Sequence, residues 1–120
     1  MVRFMSFSSG SCGNCYYLGN EDRGILIDAG VSFRRLRKAL EAAGLSTDSF
    51  GAVLVTHDHN DHIRHLDKYC QYMHKSVYAT AELHRALAVR RIHQNEISSY
   101  RMDLEPDRWN DIDGISVRYF

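Results

Sequence analysis

The chain has no net charge, a single proline and only three cysteines, and each scarcity closes off a class of protein. Fifteen cations against fifteen anions leave no global basic field of the kind that announces nucleic-acid binding, so such a partner would have to rest on a local patch. Cys12, Cys15 and Cys70 are too few and too odd in number for a disulfide framework. An intracellular, reducing compartment, the cytoplasm, is therefore the default expectation. No run is apolar for long enough to cross a bilayer, and MVRFMSFSSG at the start lacks the apolar stretch of a signal peptide, so no membrane partner is expected. With no repeat, no low-complexity tract and no long linker, 120 residues that are 44% hydrophobic read as one domain with a real core.

What is present is an alternation of short strand and helix patterns. Residues 2–7 and 15–18 read as strands around the small-residue loop SSGSCGN, and 24–30 as a buried strand ending on Asp28. Residues 32–43 read as a helix, with Ser32 as N-cap, Gly44 as stop and an apolar stripe of Phe33, Leu36, Leu40 and Ala43. AVLVT at 52–56 has no polar alternation, which suits a central strand. A second helix is expected from near His62, buried through Ile63, Leu66, Cys70 and Met73. Residues 76–80 form the next strand, and Thr80 can cap a third helix over 81–92, buried through Leu83 and Leu87. Asp113-Gly114 between two strand-like runs predicts a hairpin. The pattern is that of an α/β domain, a mixed β-sheet with flanking helices, whose ligand sites belong at strand ends.

One strand end is chemically conspicuous. AVLVT runs directly into His57-Asp58-His59-Asn60-Asp61-His62. Imidazole and carboxylate are ligands for zinc and similar divalent ions, and manganese or iron suits the same donors. Alternate residues of extended chain share a face, so His57 and His59 can point together before Asp61 and His62 follow as the chain turns into the helix. Four ligands so close in sequence crowd one centre. Two divalent metal ions fit better, one held by His57 and His59, the other by Asp61 and His62, with Asp58 and Asn60 pointing away. His65, His74, His84 and His93 are expected to be ordinary polar positions on helix faces, His65 alone lying near the site.

THDHNDH resembles the T-H-x-H-x-D-H signature of the metallo-β-lactamase fold superfamily, and LIDAG at 26–30 resembles the short motif that precedes it there. That match implies that Asp28 braces the metal loop by hydrogen bonding rather than holding metal. SFSSGSCGNCYYL, VYAT and WNDIDGISVRYF are similar to the bacterial WalJ/YycJ-type branch of that superfamily. The resemblance implies an αβ/βα four-layer fold and a dinuclear-zinc phosphodiesterase that digests DNA from a 5′ end. Asp61 would then be both a ligand and the catalytic residue that orients the nucleophile. The superfamily completes its site with further His and Asp ligands, and no histidine follows residue 93. The expectation is that residues 1–120 form the N-terminal half of such a domain, with a C-terminal half or a partner chain completing the site. The same superfamily chemistry also cleaves thioesters, lactams and cyclic nucleotides, and a metal-binding interaction module is a third reading.

Two other features carry alternatives. Cys12-Gly-Asn-Cys15 has redox or half-zinc spacing, but its place before a strand favours small residues in a tight loop. Arg34, Arg35, Arg37 and Lys38 on the first helix are a solvated face or a track for a DNA backbone.

Overall fold

A computed structural model describes residues 2–10, 13–20, 22–57, 59–89 and 97–119. Its strands are β1 (Arg3–Ser8), β2 (Cys15–Gly19), β3 (Gly24–Ile27), β4 (Ala52–Leu54), β5 (Ser76–Thr80), β6 (Arg101–Leu104), β7 (Asn110–Ile112) and β8 (Ile115–Val117). Its helices are α1 (Phe33–Ala42), α2 (Asn60–Ile63), α3 (Leu66–Met73) and α4 (Ala81–Val89). Strands β1 to β6 form one sheet in sequence order. The first two pairings are antiparallel and the last three parallel, so the sheet is mixed and β4 lies inside it.

Each parallel pairing needs a crossover, and α1, the α2–α3 pair and α4 supply them. Local sequence sets the limits of α1. The Ser32 side chain accepts from Arg35 N–H, and Gly44, at φ +75°, donates to Glu41 O while Leu45 donates to Leu40 O. That left-handed closure ends the helix where the sequence places its stop. The helices bury Leu36, Leu40, Leu66, Tyr69, Cys70 and Leu87 against Tyr17, Leu26, Val53 and Val77 of the sheet. On the opposite face, Ile25, Ala52 and Leu104 pack with Ile112 of the β7–β8 hairpin. Asp113 and Gly114 both take positive φ at its turn, as the Asp-Gly pair predicts.

Three sequence expectations are revised. First, β4 spans three residues rather than five, because Thr56 N–H donates to the Asp28 side chain instead of a neighbouring strand. Second, the helix expected from His62 is broken into α2 and α3. The carbonyls that would extend it are taken by other loops: Asp61 O accepts from Asn14 N–H and His62 O from Ala29 N–H, while His65 N–H turns to Ala29 O. Third, His84 is buried rather than on a polar face, with Nε2 at 2.9 Å from Met102 O. Thr80 Oγ1 caps α4 by accepting from Leu83 N–H. The expected end of that helix at 90–92, together with Cys12, Asp58 and His93, lies outside the described residues. Among the described residues no helix is long and apolar enough to cross a membrane.

Candidate metal centre

The site forms where the carboxyl ends of β3 and β4 lie side by side. Strand β3 stops at Ile27 because Asp28 turns into the left-handed region at φ +68°, a conformation that aspartate tolerates better than most residues. The turn directs a carboxylate that is only 2% exposed across to the start of the His57–His62 loop. Its Oδ1 accepts from Thr56 N–H at 2.8 Å. Its Oδ2 lies 2.6 Å from Thr56 Oγ1 and 2.7 Å from His62 Nδ1.

With the carboxylate ionised, these contacts assign the ring protons. An ionised carboxylate only accepts, so Thr56 Oγ1 and His62 Nδ1 both donate to it. The single hydroxyl proton of Thr56 is then committed, and Thr56 Oγ1, 2.9 Å from His57 Nδ1, accepts from that ring. One buried carboxylate thus sets the tautomer of two histidines and leaves the Nε2 lone pair of each open.

The rings converge. The centroids of His57 and His62 are 4.6 Å apart, and those of His57 and His59 5.9 Å. Asp61 Oδ2 is 3.6 Å from His62 Nε2. One donor atom each from Asp28, His57 and His62 falls within a common 4.8 Å. The donors of His59 and Asp61 lie outside that tighter group, although both side chains flank it. His57 and His59 are exposed, whereas His62 and Asp61 are half-buried. Nitrogen and oxygen donors on adjoining turns, two with Nε2 free, fit a divalent ion of the zinc type.

The site contains a residue that sequence reasoning missed. Asn14, 6% exposed, donates from Nδ2 to Asp61 Oδ2 at 3.0 Å, and its backbone N–H donates to Asp61 O at 2.6 Å. Tyr16 Oη and Gly10 N–H in turn hold Asn14 Oδ1. The sequence signal was the SSGSCGN loop itself, whose small residues permit this close approach. Gly30 closes the contact from the other side: a Cβ there would lie 2.0 Å from Asp61 O and 2.4 Å from Asn14 N.

Beneath the loop, burial pushes the Cys15 thiol up to about 12, with the Asp28 charge adding to it against a hydrogen bond from Tyr69. Cys15 is therefore an inert core thiol at the start of β2, while Cys12, the other member of the C-x-x-C, lies outside the described residues. His65 is half-buried, and burial, then the charge of Arg64, pulls it below the ordinary imidazole range against the opposing pull of Asp67. An open cleft of about 620 Å³ adjoins His57, bounded among others by Thr80, Glu82, Arg118 and Tyr119.

The sequence profile of the metallo-beta-lactamase superfamily matches residues 11–116. An exodeoxyribonuclease YycJ of Bacillus anthracis is 33% identical over 86 residues, which cover 72% of this chain and 33% of that protein. An exodeoxyribonuclease WalJ of Streptococcus pneumoniae is 28% identical over 85 residues, covering 71% and 32%. The chain thus spans about a third of the length of the curated relatives it matches. Among solved structures, MEM-A1, a subclass B3 metallo-beta-lactamase from a soil metagenome, superimposes with a TM-score of 0.73 at 13% identity over 94% of this chain and 47% of that one. A metallo-beta-lactamase-like protein of Thermotoga maritima gives 0.65 at 22% identity over 91% and 61%. The fold, the histidine loop at the ends of its parallel strands and the profile match agree: this chain belongs to the metallo-beta-lactamase superfamily of metal-dependent hydrolases.

Proposed function

We propose that the protein is a dinuclear-metal phosphodiesterase that acts on DNA in the cytoplasm, with residues 1–120 forming the N-terminal half of its catalytic domain. The observation that carries this reading is the hydrogen-bond chain from Asp28 through Thr56 and His62, which leaves two imidazole Nε2 atoms open beside His59 and Asp61. DNA is favoured as substrate because the curated relatives are exodeoxyribonucleases. The half-domain assignment is supported by the 47% of the MEM-A1 chain that this one spans.

In this reading His57 and His59 hold one ion and Asp61 and His62 the other. Divalent ions there supply Lewis acidity towards a phosphoryl oxygen and generate a nucleophile from water at neutral pH, and zinc suits the donor set best. Asp61 orients the attacking oxygen, and Asn14 fixes the rotamer from which it does so. Asp28 and Thr56 hold two rings with Nε2 outward. The cleft beside His57 receives the substrate, and residues outside 1–120, or a second copy, supply the remaining ligands.

The test is hydrolysis of end-labelled linear DNA, RNA, a thioester and a β-lactam by the metal-loaded protein, with and without chelator. Chelator-sensitive degradation of DNA, abolished by His59→Ala, is the expected result. DNA digestion at the parental rate by His59→Ala, or turnover confined to the thioester or lactam, overturns the reading.

A further inference from the structure

The first helix carries a charge pattern that its own stability does not explain. Arg34, Arg35, Arg37 and Lys38 are all exposed on α1, in a chain whose net charge is zero. Arg34 sits three and four residues from Arg37 and Lys38, and Arg35 three from Lys38, so each spacing sets like charges face to face. The first turn holds no acidic residue, although that end of a helix dipole favours anions and repels cations. Among the described residues no ion pair relieves any of the four, even with Glu41 on the same helix. Such a cluster weakens the helix unless an external anion neutralises it.

Its place in the fold says which anion. Helix α1 begins three residues after Gly30, whose N–H donates to Asn14 O and whose neighbour Ala29 donates to His62 O. Three residues of chain reach at most about 11 Å, roughly three steps of a DNA strand. An aromatic pair borders the cations. Phe33 and Tyr72 lie 5.1 Å apart, Tyr72 is 53% exposed, and Arg37 rests over the Phe33 ring at 6.0 Å. Cations beside exposed rings are the combination that tracks a nucleic-acid strand, with phosphates on the charges and a base or sugar on the ring.

We infer that the exposed face of α1, with Tyr72 of α3, is the surface on which a nucleic-acid strand lies as it approaches the metal loop. The inference rests on the nucleic-acid reading of the site and adds the residues that hold the strand outside it.

The experiment measures binding of the protein to a fluorescent single-stranded oligonucleotide in EDTA, across a salt series, so that hydrolysis plays no part. Neutralising Arg34, Arg35, Arg37 and Lys38 together to Gln should lower the log–log salt slope by about 3 units, at roughly 0.7 per phosphate contact. The same variant should melt no lower than the parent, since repulsion is relieved. Tyr72→Ala should weaken oligonucleotide binding about tenfold while leaving inorganic polyphosphate binding unchanged. An unchanged salt slope in the folded four-Gln variant overturns the inference, as does a parent that does not bind the oligonucleotide. Equal loss of oligonucleotide and polyphosphate binding in Tyr72→Ala overturns the role given to the ring. None of these results bears on chelator-sensitive hydrolysis, which decides the reading of the metal loop separately.

Discussion

Exchanging Asp28 for Asn alters one group of a buried side chain, yet the hydrogen-bond logic of the site predicts that it relocates the protons of two histidines. Thr56 N–H can only donate, so the amide oxygen must stay where Oδ1 now accepts at 2.8 Å. The NH2 group then occupies the Oδ2 position, facing Thr56 Oγ1 and His62 Nδ1. Both must become acceptors. The His62 proton moves to Nε2, and the freed Thr56 hydroxyl proton turns to His57 Nδ1, sending that ring's proton to Nε2 as well. The two Nε2 atoms left open in the parent are thereby capped. Metal affinity should fall at least as far as when a ligand's hydrogen-bond partner is lost, about 10–100-fold. Stability should change little, because Asn tolerates φ +68° and every polar atom keeps a partner; about 1 kcal/mol of charge assistance is lost. Asp28→Ala should behave differently. It orphans Thr56 N–H, at about 1–3 kcal/mol, and puts a residue poorly suited to positive φ in the left-handed region, at about 1–2 kcal/mol. Affinity is read by competition with a chromophoric chelator, stability by urea melts, and tautomers by long-range ¹⁵N correlation spectra of the metal-free protein. An Asn variant that keeps both Nδ1–H tautomers and binds metal within twofold of the parent would show that the Asp28 carboxylate does not set the protons of these rings.

Four further outcomes are expected. Gly30→Ala should lower stability by about 3 kcal/mol and loosen the loop, since its Cβ meets two backbone atoms that cannot yield separately; an unchanged urea midpoint would count against the contact. His57→Ala and His59→Ala should each lose bound metal in elemental analysis after gel filtration while retaining the parental circular dichroism; full metal content in either would remove that residue from the ligand set. The His84 imidazole is held below its ordinary value chiefly by burial, with the Arg101 charge helping and the Met102 carbonyl and Asp103 opposing. Below about pH 6.5 the unfolded chain therefore binds a proton that the folded chain resists, and stability should drop as pH falls through that range. His84→Gln should flatten part of this slope, His65 contributing the same sign, and an identical slope in the variant would exclude His84 as a source. Finally, Cys15 should resist iodoacetamide at pH 8 until the protein unfolds; rapid native-state labelling would contradict its burial and raised pKa.

The legible parts of this protein were those written in local pattern. Ser32 and Gly44 bracket α1, Thr80 caps α4, Asp113-Gly114 turns the hairpin, and the unbroken apolar run at 52–55 marks an interior strand. That His57, His59, Asp61 and His62 share one loop was legible for the same reason, since six consecutive residues cannot lie far apart, whereas the donor group that draws in Asp28 was not. What stayed hidden depends on contacts between distant segments. The break between α2 and α3 comes from Asn14 and Ala29 taking the carbonyls of Asp61 and His62, which no helical periodicity records. Asn14 itself looked like one more small polar loop residue, because its partner lies 47 positions away. His84 reads as a polar helix position until β6 is laid against it.

The pairing of Asp28 with Thr56 also makes the centre an inspection point for assembly. Strands β3 and β4 are neighbours in the sheet but are separated by the whole of α1, so their alignment has to be found across a long loop. In the native register Ile27 faces Leu54, which leaves Asp28 within reach of Thr56. A slip of one residue moves the strands by about 3.3 Å and turns Val53 from one face of the sheet to the other. It also carries Thr56 beyond the carboxylate, and both imidazoles lose the constraint on their protons. A chain with misaligned strands therefore has no ion site to fill. Ion binding acts only on correctly zipped molecules and draws the population towards them.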